Sequence, residues 1–366
     1  MSNRWSLKGL VHKWPIWNSR KAWRYGGLYL GSVILAVAML ILLFKGAIIN
    51  CYGKGQLERA FAKAYPGSTL RIGELGYTMG ANRLVAQAVT LHATTSTIKV
   101  GQVSLTGVGW LRLVMGKDAH EVLANASLDA MNFEMEFSRA HYGIRCTKVK
   151  AAVPVSELFV EGMVLQSSIK DEERFAADAF RTTRFHVVVP ECNVVGLAYG
   201  DLFQGKAYRA RAVHLFRPSL DALVNRDKPA KPSGKRPLMV NEVLAAIGTP
   251  VQIDNLSITN GHIKYAERVV ARSAPGVLTF TAVEMEADGI TNRGERSAAI
   301  RLKTQGKLMD AGVLKVQMKI PLTSPKFSLH VEVQFAHALD DRLARFVIGR
   351  DAERGILGRE TVEAKR

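Results

Sequence analysis

The sequence predicts a mainly β protein: an N-terminal transmembrane helix followed by an elongated, curved antiparallel sheet with short covering helices. Three observations carry this reading. Residues 29–44 (YLGSVILAVAMLILLF) form one uncharged apolar run. From Thr69 onward apolar residues recur at every second position, the period of a strand with one covered face. That alternation slips by one residue at Gly101–Gln102, at Asn255, and between Phe280/Ala282 and Val283/Met285. Such slips mark β-bulges, which bend and twist a sheet.

Residues 1–26 read as a basic cytoplasmic tail and 27–49 as the anchor. A helix over 28–49 rises roughly 30 Å, about one hydrocarbon core. Arg4, Lys8, Lys13, Arg20, Lys21 and Arg24 precede the run with no acid among them. Positive charge on that side predicts a cytoplasmic N-terminus and a translocated bulk. Trp5, Trp14, Trp17, Trp23 and Tyr25 lie among these charges and suit the headgroup layer. The run is longer than a signal-peptide core and lacks a convincing cleavage site, so the anchor is expected to be uncleaved.

Region 54–225 is the first β-rich region. It opens on an amphipathic helix over 55–65, ended by Pro66-Gly67. Alternating sets then follow: Leu70/Ile72, Leu84 with Val89/Leu91, and Ile98/Val100 with Val103/Leu105. A repeat links 106–117 to 195–206, where Gly, an aromatic, Leu, Gly and Lys recur at one spacing. It predicts strand, glycine bend, short helix, glycine bend, strand. Further strands are expected over 128–137, 144–153 and 158–165, and over 185–189 up to Pro190. The charged stretch 169–180 reads as a loop or short helix. Residues 226–238, centred on RDKPAKPSGKRP, predict a flexible linker.

Region 239–350 is the second β-rich region. Asn260-Gly261 between Ile258 and Ile263/Tyr265 predicts a hairpin turn. The later strands alternate cleanly, as in Ala298/Ile300/Leu302, then Leu314/Val316/Met318/Ile320, then Phe327/Leu329/Val331/Val333/Phe335. An amphipathic helix is expected over 337–348 and a polar tail over 351–366.

Catalytic chemistry finds little support. Gly200 to Lys206 fits GxxxxGK, but Ala207 stands where Ser or Thr must hold magnesium. Asp118, His120 and Glu121 form the nearest acid–histidine group and read as a solvated turn. His141/Cys146 and His186/Cys192 match no zinc-site spacing. Cys146 and Cys192 either pair or stay free. No cofactor and no metal are expected, and the protein is expected not to be an enzyme. The net charge of +18 is spread along the chain, with no nucleic-acid recognition motif in the translocated part.

The order of these parts resembles the AsmA-like family of bacterial envelope proteins. The residues that carry the resemblance are the basic tail and single anchor, the helix leading into Thr69-Leu70-Arg71-Ile72-Gly73-Glu74-Leu75, and the phrase from Ile253 to Tyr265 (IDNLSITNGHIKY). The resemblance implies a single-pass inner-membrane protein with its bulk in the periplasm, a β-groove, and membrane lipids as partners. It implies envelope lipid transport or outer-membrane maintenance. Groove candidates are Leu314, Val316, Met318, Ile320, Phe327, Leu329, Val331, Val333 and Phe335. The alternative is a scaffold for other envelope proteins without lipid transfer, docking through Trp110, Leu113, Tyr199 and Leu202 on the repeat helices.

Overall fold

The computed structural model describes residues 54–335 except 65–66, 79, 94–95, 109–120, 122, 138–140, 230–243, 245–246, 271–273, 295–297 and 323–327. The predicted basic tail, anchor, C-terminal helix and polar tail lie outside the described residues, as does most of the linker. No helix among the described residues is long and apolar enough to cross a membrane.

Strands hold 66% of the described residues, so the protein is mainly β. Helix α1 (Lys54–Ala64) leads into β1 (Thr69–Arg71), β2 (Glu74–Thr78), β3 (Arg83–His92) and β4 (Ser96–Thr106). Then come β5 (Ser127–Phe137), β6 (Tyr142–Ala152), β7 (Glu157–Ser167), α2 (Asp171–Ala177) and β8 (Thr182–Val195). Helix α3 (Tyr199–Phe203) precedes β9 (Tyr208–Phe216) and β10 (Ser219–Asn225). The last five strands are β11 (Val251–Arg268), β12 (Gly276–Thr291), β13 (Ala299–Leu308), β14 (Gly312–Pro321) and β15 (Ser328–Phe335).

All fifteen strands belong to one sheet. The sheet is mixed rather than antiparallel, which corrects the expectation. Strands β9 and β10 both run parallel to β11, Tyr208 lying beside Val251 and Asn225 beside Arg268. The chain leaves β10 at one end of β11 and re-enters at the other. That return covers roughly 60 Å, and residues 226–250 reach about 85 Å when extended. A parallel neighbour needs such a crossover, and only this connection is long enough to supply it without further strands.

Two creases cross the sheet. At the first, successive ladders skip one rung, or two between β6 and β7: Ala88/Gly101, Gly101/Asn132, Asn132/Thr147, Cys146/Met163 with Thr147/Gly162, and Gly162/Pro190. Ala88, Asn132, Gly162, Arg217, Asn260 and Ala282 along this line have φ between 48° and 62°. Six residues away, roughly 20 Å along the strands, a second line carries Asn82, Gly107, Ser156, Gly196 and Gly289, also left-handed. Each crease reverses the pleat, so residues three apart, such as Val100/Val103 and Ala130/Phe133, share a face. The predicted slips at 101–102 and Asn255 fall on these lines, but the ladders there keep their register. Register shifts occur around Gly261 and between Thr281 and Glu284.

The creases explain two further corrections. Asn260-Gly261 is not a hairpin turn, because β11 runs straight through it. Asn260 supplies the left-handed residue of the crease, φ 54°, and β9 and β10 pair along the full length of β11. Pro190 does not end its strand either. It stands on the unpaired rung of β8, where its missing N–H costs no ladder bond.

The short helices sit at the margins. α1 seals the first edge: the Ile72 N–H donates to Glu58 Oε1 at 2.8 Å, and Lys54 Nζ donates to the Gly73 carbonyl at 3.2 Å. α2 inserts Phe175 between Leu223 and Ala266. It is held there by Arg184, which pairs with Asp171 at 3.2 Å and Asp221 at 2.8 Å, and by Arg268 to Glu172 at 2.8 Å. α3 lies at the end of β9. Gly196 and Gly205 flank it with φ of 70° and 64°, as the repeat predicts. The first repeat copy shows its matching bend at Gly107, φ 72°, and its helix lies outside the described residues.

Candidate functional site

The register reveals what no single strand shows. Directly paired residues share a face, so chains of pairs trace rungs across the whole sheet. One rung reads Tyr77, Leu84, Leu105, Leu128, Ala151, Leu158, Val194, Val213, Leu256, Ala287, Leu302, Met318, Leu329. Every member is apolar or aromatic. The next rung on that face reads Leu75, Ala86, Val103, Ala130, Val149, Val160, Cys192, Leu215, Ile258, Met285, Thr304, Val316, Val331. Its single hydroxyl, on Thr304, donates to the Glu284 carbonyl at 2.9 Å. Beyond the first crease a third rung runs Leu70, Leu91, Ile98, Met135, Ile144, Leu165, Val187, Leu220, Ile263, Phe280, Leu308, Gly312, Phe335.

These rungs form one apolar face. It stretches roughly 50–60 Å across the strands and more than 20 Å along them, at about 4.8 Å per strand. Its geometric extent is therefore about 1,000 Å², against the few hundred Å² that an ordinary surface patch reaches. Most of its large side chains are half-buried, held by their strand neighbours. None of the three helices among the described residues lies over its centre. Of these three, α2 packs on the opposite face and α1 and α3 at the margins; the other expected helices lie outside the described residues. The interleaved rungs of that opposite face are mostly polar, for example Ser104, Asp129, Lys150, Phe159, Asn193, His214, Ser257, Glu286, Lys303, Gln317, His330, where Phe159 is the one apolar member.

Leu314, Val316, Met318 and Ile320 of β14 all stand on the apolar face. The first three are half-buried, and Ile320 is 3% exposed where it meets Ile300. On β15, Val331 is half-buried opposite Val316, and the register sets Leu329 opposite Met318, Val333 opposite Leu314, and Phe335 opposite Gly312. Phe327 lies outside the described residues. So do Trp110 and Leu113. Tyr199 is buried and donates its hydroxyl to the Glu157 carbonyl at 2.6 Å, so it ties α3 to the sheet instead of facing a partner. Leu202 is half-buried, and Phe203, stacked 5.7 Å from Tyr199, is the exposed side chain of this helix. Sequence reasoning missed most of the face between β5 and β12. The three-residue apolar spacing at each crease, as in Ala130/Phe133 and Val160/Met163, was the available signal.

The other candidates resolve into structure. The GxxxxGK match is the helix α3, with Asp201 held by Arg209. Asp118 and His120 lie outside the described residues, and Glu121 is exposed. No three His, Cys, Asp or Glu side chains stand together as a metal ligand set among the described residues. His214 Nδ1 and Ser257 Oγ are 2.6 Å apart on the polar face. The acid of that rung, Glu286, lies beyond the serine and not behind the histidine, so the pair lacks the order of an acid–base relay. A cleft of about 340 Å³ on this face is rimmed by Glu284 and Glu286 of β12, Lys303 of β13 and Lys315 of β14, all exposed to solvent.

Cys146 and Cys192 are free thiols on the apolar face, one strand apart across β7. Burial raises the Cys146 thiol above its ordinary value and Cys192 raises it further; burial alone raises Cys192. A raised thiol is less ionised and reacts slowly, since the thiolate is the nucleophile. In a Cys51→Ser background, both are expected to react with a maleimide at pH 8 at least tenfold more slowly than in denaturant. Equal rates would show that the crease around them opens freely.

No family model matches this chain, and no curated protein matches it significantly.

Proposed function

We propose that the protein is a membrane-anchored, non-enzymatic carrier of lipid, with its acyl chains lying along the apolar face. The observation that supports this is the direction of the apolar pattern. It runs across twelve or more strands, perpendicular to them, as a track along which an apolar chain moves without meeting a charged side chain. A face that only closes a core needs apolar residues beneath its covering elements and nowhere else. Here the pattern continues through β13 and β14, where the polar side carries Arg301, Lys303, Lys307, Lys315 and Lys319 and the apolar side has no covering element among the described residues. The anchor expected over 27–49 sets α1 and β1 at the membrane surface, so lipid enters or leaves at that edge. The resemblance to AsmA-like proteins supports the same reading and, with it, an inner-membrane anchor and a periplasmic sheet. A sheet of this width falls short of bridging an envelope alone, which favours delivery to or from one membrane. Among the described residues the scaffold alternative has the smaller surface, Phe203 on α3.

Photoreactive amino acids at Leu314, Val316 and Met318 are expected to capture phospholipid in membranes, and one at Gln317 on the opposite face is not. Capture only of the protein's own segments from all three positions would make the face a closed core and end the lipid reading.

A further inference from the structure

The sheet treats its two edges differently. Its first edge is broken and partly blocked. It is made of β1, three residues, and β2, five residues; the chain kinks between them at Gly73, and α1 side chains occupy the backbone groups of Ile72 and Gly73. Its last edge is neither. β15 has eight residues, paired with β14 in unbroken register from Lys319/Ser328 to Gly312/Phe335. Its sequence, SLHVEVQF, holds no proline, lysine or arginine. No left-handed residue lies within β13, β14 or β15; Met309 and Asp310 belong to the turn between the first two. Among the described residues no strand pairs with its outer side. Edges are normally protected against pairing by brevity, charged side chains, proline, bulges or a covering segment; β15 has no proline, no left-handed residue and a single acid, Glu332.

We propose that β15 pairs antiparallel with β15 of a second copy, joining two sheets about a twofold axis through Val331. The strand is complementary to itself in that register. Val331 meets Val331 of the second copy, and Leu329 stands opposite its Val333. On the polar side His330 stands opposite its Glu332, and the reciprocal pair follows from the symmetry, as an isologous interface requires. Centring the axis on Glu332 instead sets two carboxylates face to face, which cross-strand pairing disfavours. Centring it on His330 shortens the ladder. The chosen register also keeps apolar positions beside apolar positions, so each of the first two apolar rungs continues from one copy into the other. The joined face is twice as long and has α1 and its anchor at both far ends. Two anchors on one rigid sheet hold both ends at a membrane surface. The pairing depends on the edge alone and holds whether or not the face carries lipid.

The test uses the full chain in mild detergent with Cys51, Cys146 and Cys192 replaced by alanine. Val331→Cys is expected to give a disulfide-linked dimer under mild oxidation, and Val313→Cys on the polar face of β14 is not. Leu329→Cys and Val333→Cys are expected to cross-link when mixed and not when alone, which fixes the register. Glu332→Lys sets lysine opposite histidine and is expected to weaken the dimer tenfold or more in sedimentation velocity. Adding His330→Glu restores it, which loss of the Lys315–Glu332 contact within one chain does not predict. A monomer at all micromolar concentrations overturns the proposal, as does equal cross-linking at positions 313 and 331. The readout is the number of chains, so its failure leaves the lipid reading standing, and the reverse holds.

Discussion

Gly107→Ala is expected to unfold a large fraction of the protein. Gly107 has φ 72°, where a side chain costs about 1–2 kcal/mol of backbone strain. A Cβ there also meets the carbonyl oxygen of Asn125 far inside contact distance, and that carbon at 3.0 Å. Both obstacles are backbone, so β4 or the turn before β5 has to move. Together the two effects cost about 3–5 kcal/mol, a large part of a stability of about 5–15 kcal/mol. Gly205 is the control. Its φ is 64°, but a Cβ there meets nothing within 4 Å. Gly205→Ala is expected to cost only the strain, about 1 kcal/mol. Urea titrations followed by the β signal in circular dichroism compare the two. Equal midpoints would show that the crease tolerates a side chain and that its glycines are incidental.

The second large effect falls on the apolar face. Val316→Lys places a charge on the second apolar rung, near its β15 end, between Thr304 and Val331. The side chain is half-buried, so its ammonium turns outward from the sheet and the folded state is kept. An acyl chain lying across it loses apolar contact worth about 1–3 kcal/mol, and every 1.4 kcal/mol is tenfold in affinity. Co-purified lipid is expected to fall tenfold or more by native mass spectrometry. Gln317→Lys, one residue away on the polar face, leaves it unchanged. If both variants retain lipid equally, the lipid bound to this protein belongs to the anchor and not to the sheet.

Much of the fold was legible because strand alternation is local. The alternation over 312–321 is read from one strand, and β14 follows it residue by residue. The helix α1 and the glycine bend at 196 were also legible, from a period and a repeat, whereas the charge pattern over 169–180 left loop and short helix open and the structure forms the helix. Two signals were read correctly as residue preferences and wrongly as structure. Asn260-Gly261 favours a left-handed backbone, and a hairpin turn and a crease both use one. Pro190 refuses a ladder bond, and a strand end and an unpaired rung both meet that condition. In each case neighbouring strands, remote in sequence, decided which.

The sequence by itself determined that each strand has one apolar face, since a period of two assigns every side chain to a side. It determined where pleats reverse, because the three-residue slips are written in the order of residues. It did not determine which strands meet, or in what register. Only the tertiary structure aligned Leu84 of β3 with Met318 of β14 along one rung, through nine intermediate residues on nine different strands. The reason is that alternation fixes the face a residue occupies but leaves its position along the neighbouring strand free. Pairing removes that freedom, and with it turns separate apolar strands into one continuous surface.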